Sequence, residues 1–94
     1  MSDRNGKAKF LLGLTVSTRN ALETLDPEDV LVAMGRHHSG DWGDLCEEGR
    51  QTNEHALEHG DGLFSVYYDR DKAKFYIITE WDRSVTTVLL PEDY

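Results

Sequence analysis

Ninety-four residues carry 18 acids against 10 bases, a net charge of −8, with 38% apolar residues and one cysteine. That length supports one domain with a single modest core, and the apolar share excludes a disordered chain. No apolar run approaches the roughly 18 residues of a membrane span, the polar N-terminus lacks signal-peptide anatomy, and a lone cysteine makes no internal disulfide, so the expected compartment is the cytoplasm.

Residues 1–8 are polar and read as a disordered tail. Residues 9–16 read as a strand in which Phe10, Leu12, Leu14 and Val16 alternate onto one face. Ser17 or Thr18 caps a short helix to residue 25, with Ala21, Leu22 and Leu25 at helical spacing. Asp26-Pro27 opens a second helix, Asp26 as N-cap and Pro27 at the first helical position. Val30, Leu31 and Met34 form its apolar face, and it ends at Gly35 or at His38 before Gly40.

Residues 39–43 are a loop by composition. Asp44 and Glu47 have capping-box spacing, so a third helix is expected over residues 45–59, stopped by Gly60. Its apolar stripe is thin: Leu45, Cys46, Ala56 and Leu57. Residues 63–68, 74–81 and 85–90 then read as three strands joined by short turns, a meander. The expected fold is therefore a single α+β domain over residues 9–94. Its order is β-α-α-α-β-β-β, with an antiparallel sheet of about four strands and helices on one face. The place of the first strand in that sheet is not readable.

The charge is uneven: residues 39–62 hold seven acids and only one base, Arg50. Such a chain repels phosphate backbones, so direct nucleic-acid binding is not expected, and a protein partner with a basic surface is. The contact surface on this reading is Asp41, Trp42, Asp44, Glu47, Glu48 and Glu54. Two readings of Trp42 stand: an exposed aromatic anchor, or a core lid between the turn-making Gly40 and Gly43. A homodimer through the sheet edge or the third helix is a further reading.

All four histidines and the cysteine fall within residues 37–59. His55 and His59, four apart on a helix, share a face and suit one transition metal, with a third ligand from His37, Asp41 or Cys46. No cofactor is expected on the first reading. The alternative is zinc or another divalent metal on His37, Asp41, His55 and His59, in a metal-binding protein or metal-dependent enzyme. The H-E-x-x-H signature is absent, since Ala56 follows His55. The plain reading of His37, His38 and His59 is that of imidazoles favoured at helix C-termini. No phosphate-loop, dinucleotide or nucleophile-elbow motif occurs, so enzyme function is left open, leaning to none.

The longer motifs carry a resemblance. They are Arg36-His37, Ser39-Gly40-Asp41-Trp42-Gly43-Asp44-Leu45, Asn53-Glu54, Ala56-Leu57, Ile78-Thr79-Glu80, Asp82-Arg83-Ser84-Val85-Thr86-Thr87 and Leu89-Leu90-Pro91-Glu92. Together they resemble a family of small bacterial proteins of plasmids, phages and integrated elements, catalogued as plasmid-related proteins. The resemblance implies a role connected with mobile DNA. It brings no catalytic residue with it.

Overall fold

A computed structural model describes residues 7–94. The tail expected over residues 1–8 therefore lies largely outside the described residues; Lys7 and Ala8 are exposed and belong to no element. Among the described residues the elements run β1 (Leu14–Ser17), α1 (Arg19–Thr24), α2 (Pro27–His38), α3 (Glu47–His59), β2 (Leu63–Tyr68), β3 (Lys74–Thr79) and β4 (Val85–Leu89). A short 3-10 turn, Pro91–Asp93, follows. The α+β class and the element order are as expected from the sequence.

The sheet order is β1-β4-β3-β2. The meander β2-β3-β4 is antiparallel, but β1 pairs with β4 in parallel, Leu14 opposite Val85 and Ser17 opposite Val88. The sheet is thus mixed, which corrects the antiparallel expectation for its first strand. Parallel neighbours need a long crossover, and the three helices with two further strands supply it.

The first strand is also shorter than the alternation of residues 9–16 predicts. Gly13 sits at φ 67°, and a Cβ there would overlap the carbonyls of Arg83 and Ser84. The chain bends at Gly13, so Phe10 and Leu12 do not continue the strand. Leu14 and Val16 end up exposed, because β1 is an edge strand and they lie on the side away from the helices.

Thr18 caps α1 by accepting the Ala21 N–H, and Asp26 caps α2 by accepting those of Glu28 and Asp29. The buried stripe of α2 is Val30, Ala33, Met34 and His37 at i, i+3, i+4, i+7, not the expected set with Leu31. Leu31 and Val32 face outward. Helix α3 begins two residues later than expected, with Cys46 as an N-cap that makes no side-chain bond. Asp44 is not the cap; it lies before the helix, where Gly43 bridges to Val66 and the Asp44 N–H donates to the Val66 carbonyl at 2.8 Å. That pairing holds residues 43–44 against the sheet.

Two apolar clusters fill the space under the helices. One gathers Ala21, Leu25, Ala33, Tyr67, Phe75, Ile77, Val88 and Leu90; the other gathers Trp42, Ala56 and Leu63, with Phe10, Leu45 and Leu57 against it. Full burial of Phe75 and Ile77 contributes about 1.5–3 kcal/mol each. The opposite sheet face carries Phe64, Tyr76 and Ile78, half-buried, with Tyr94 edge-on against both aromatic rings. No described helix is long and apolar enough to cross a membrane.

Candidate functional site

The loop after α2 is built around Asp41. Arg36 donates to it through Nε at 2.8 Å and Nη2 at 3.3 Å, and the Gly43 N–H donates to its Oδ1. The hydrogen bond from Arg36 holds the Asp41 carboxyl below the usual carboxylate range. The Arg36 guanidinium also lies 4.9 Å from the Tyr67 ring centre, and the Tyr67 hydroxyl donates to the Asp41 carbonyl at 2.6 Å. Asp41 therefore closes a loop, and its charge is matched locally by Arg36.

Trp42 is 2% exposed, so it is the lid and not the surface anchor. Its ring stacks on Phe10 and meets His37 edge-on, and its Nε1 donates to Glu54 on α3 at 3.0 Å. This removes Trp42 from the expected contact surface. Gly43 is what allows the burial: at φ 74°, a Cβ there would overlap the Val66 carbonyl oxygen and the Tyr67 ring.

His37 is fully buried, with both ring nitrogens engaged. Nδ1 lies 2.6 Å from Ser65 Oγ and Nε2 lies 2.8 Å from Thr79 Oγ1. Thr79 Oγ1 is 2.7 Å from Thr86 Oγ1, which donates to the Leu12 carbonyl at 2.7 Å. The last bond sets the direction of all the others. Thr86 gives its proton to Leu12, so it accepts from Thr79. Thr79 then accepts from His37, whose Nε2 carries the hydrogen, and Nδ1 accepts from Ser65. Burial, followed by the positive charges of His38 and Arg83, pushes the His37 pKa down to about 3. The imidazole is neutral and has no lone pair left for a metal.

His55 and His59 do share a face, as their spacing predicts: their rings stack at 3.9 Å. That face looks to solvent. Helix α3 docks through Asn53 and Ala56, and His55 lies about 200° around the helix from Asn53. The expected set His37, Asp41, His55 and His59 is therefore split between core, loop and outer helix face. Among the described residues no three His, Cys, Asp or Glu side chains converge as a metal site. Cys46 is exposed at the α3 N-cap, while His37 is buried beneath the helices, so the two do not form a thiol-imidazole pair.

Asn53 is a structural clamp whose partners its sequence surroundings do not announce. Its side chain donates to the Phe64 carbonyl at 2.7 Å and accepts the Phe64 N–H at 3.2 Å. With the Val66 N–H donating to the Trp42 carbonyl and the Asp44 N–H to the Val66 carbonyl, it covers the outer edge of β2. Arg83, whose turn reads from the sequence as a solvated turn, an Asp82–Arg83 pair or a ligand site, is a second clamp. It donates to the carbonyls of Ala56, Asp61, Glu80 and Trp81, joining the β3–β4 turn to the end of α3. The exposed tryptophan is Trp81, in that turn.

What remains outward on α3 is acidic. Glu47, Glu48, Glu54 and Glu58 are all exposed, as is Asp44 before the helix. Glu47, Gln51, Glu54 and Glu58 line one stripe at i, i+4, i+7, i+11. The single base of the segment, Arg50, is turned to the carbonyls of Leu45 and Gly43. Comparisons with protein-family models, curated proteins and solved structures find no match.

Proposed function

We propose that the protein is a non-enzymatic interaction module whose outer α3 face, with Asp44, docks on the basic surface of another protein. One observation carries this reading: Glu47, Glu48 and Glu58 of α3 are exposed, while the only base of that segment is used up on backbone carbonyls. Glu47, Glu48 and Glu58, not held in ion pairs among the described residues, with Glu54 bound to Trp42 on the same helix, give a field that speeds encounter and selects positive partners. Asp41 and Trp42 serve this surface from beneath, by fixing the loop and the helix. The resemblance to small proteins of plasmids and phages supports a host defence or DNA-handling factor in the cytoplasm as the partner.

The test uses a fluorescent arginine-rich peptide as probe. Its binding is expected to weaken as salt rises, and to fall at least about ten-fold when Glu47, Glu48 and Glu58 become lysine, a loss of some 1.4 kcal/mol. A control of equal net charge, with Glu23, Asp71 and Glu92 made lysine, should bind like the parent. Equal loss in both variants would mean that net charge alone acts, and would sink the α3 assignment.

A second reading has one observation of its own, the stacked His55 and His59 pair. Two imidazoles at i, i+4 are a metal handle. Zinc titration with His55→Ala alongside tests it; no heat above buffer at micromolar zinc ends it.

A further inference from the structure

The two edges of the sheet are treated differently. The β2 edge is closed by Asn53 and by the loop at Trp42–Asp44 through hydrogen bonds to Phe64 and Val66. The β1 edge has no such cover among the described residues. The Leu14 N–H donates to Ser84 and the Thr18 N–H to Val88, so the even-numbered residues face β4. By strand alternation the backbone groups of Thr15 and Ser17 point outward. Edge strands are usually blunted by charge, proline, a bulge or shortness, and β1, at four residues, uses only the last. The sequence Leu-Thr-Val-Ser of β1 has no charge and no proline.

Beside this edge lies an open apolar groove of about 340 Å³ between β1, α1 and α2, lined by Val16, Leu22, Leu31 and Met34 among others. Leu14, Leu22 and Leu31 are each about two-thirds to three-quarters exposed. Leu14 and Val16 project from the other face of β1, so exposed apolar side chains flank this edge on both sides.

We propose that the occupant of this edge is a second copy of the same chain, pairing β1 with β1 antiparallel about a two-fold axis. The outward groups fix the register. Thr15 exchanges both hydrogen bonds with Ser17 of the second copy, and Ser17 with its Thr15. That places the two Val16 residues opposite each other in a non-hydrogen-bonded pair, where side chains approach most closely. The match is self-complementary, as a two-fold interface requires. Electrostatics favour this edge over the other. The acidic α3 sits against β2, at the far side of the sheet order, so joining at β1 keeps the two acidic faces at opposite ends of an eight-stranded sheet. Joining at β2 would bring them together.

Sedimentation of the full chain, from one micromolar to several hundred micromolar, tests this together with amide exchange at Ser17. The parent should dimerise, and Ser17 exchange should slow as dimer forms. Thr15→Pro removes an outward N–H without touching a bond to β4, and Leu31→Lys charges the groove; each should weaken dimerisation at least ten-fold with helical circular dichroism unchanged. If Thr15→Pro fails to fold, Leu31→Lys and the Ser17 amide decide. A parent that stays monomeric throughout overturns the proposal. So does a dimer indifferent to Leu31→Lys with Ser17 unprotected, which would move the interface to the Tyr94 face. So does a monomer whose Ser17 is protected only by an added extended peptide, which would assign the edge to a foreign strand.

Discussion

His37 is a buried imidazole in a directed chain of hydroxyls, and its proton count follows from that. Folded, it stays neutral down to about pH 3; unfolded, it takes up a proton near pH 6.5. Between those values the unfolded chain binds more protons, so stability falls as pH falls. The slope approaches about 1.4 kcal/mol per pH unit for this one group. Above pH 6.5 it contributes no pH dependence. Asp41 and Asp93 act in the same direction but lower, since hydrogen bonds from Arg36 and from Thr18 and Asn20 hold their carboxyls down. Their contribution is present above the unfolded aspartate pKa of about 3.9 and is lost as pH falls below it. Urea unfolding at pH 7, 6 and 5 should therefore show a loss that His37→Gln largely flattens. A parent midpoint unchanged between pH 7 and 5 would refute the neutral buried imidazole. Nothing local in Arg36-His37-His38 tells that the middle residue meets Ser65 and Thr79. Its place in the i, i+3, i+4, i+7 series with Val30, Ala33 and Met34 is the one sign, and it is read only if histidine is admitted as a core residue.

At the scale of elements, Asn53 stands out because one side chain serves both backbone groups of an edge residue. Asn53→Ala leaves the Phe64 N–H and carbonyl without that partner, and about 2–3 kcal/mol of stability should go with it. Gln51→Ala, on the exposed side of the same helix, should change stability by less than about 0.5 kcal/mol. Thermal melts of the two variants decide; equal melting points would deny Asn53 its role. The elements themselves were legible where their signals are local. Asp26-Pro27 marks the start of α2, Gly60 the end of α3, and the alternation of residues 63–68 and 74–79 marks two strands. Local signals mislead where a distant partner decides. The start of α3 is set by Val66, and the bend before β1 by the turn at Arg83 and Ser84. Alternation over residues 74–81 puts Trp81 on one side with the buried Phe75 and Ile77, yet β3 ends at Thr79 and Trp81 is exposed, while Trp42, in a glycine-rich loop, is buried on Phe10 and bonded to Glu54.

For the molecule as a whole, charge and apolar surface are sorted to different places. The acids of α3 lie by β2, and the uncharged strand and leucine groove lie by β1. With a net charge of −8, self-repulsion opposes the compact state. Raising sodium chloride from about 0.01 M to 0.15 M shortens the screening length from about 30 Å to 8 Å. In dilute protein, the melting point should rise by a few degrees over that interval. The rise should shrink in the variant with Glu47, Glu48 and Glu58 made lysine; a melting point that falls with salt would contradict the picture of unpaired surface acids.

The parallel pairing of β1 with β4 has a consequence for synthesis. The N-terminal segment rests on the C-terminal one at every step: Leu12 on Thr86, Leu14 on Ser84, Thr18 on Val88, and Thr18 with Asn20 on Asp93. A ribosome adding about 5–20 residues per second needs roughly four to fourteen seconds to pass from Ser17 to Val88. Through that interval the first strand made has no β4 to pair with. The strand that ends at the edge of the finished sheet is thus also the last to find its neighbour, and a nascent chain must carry it, uncharged and unpaired, until β4 has been added.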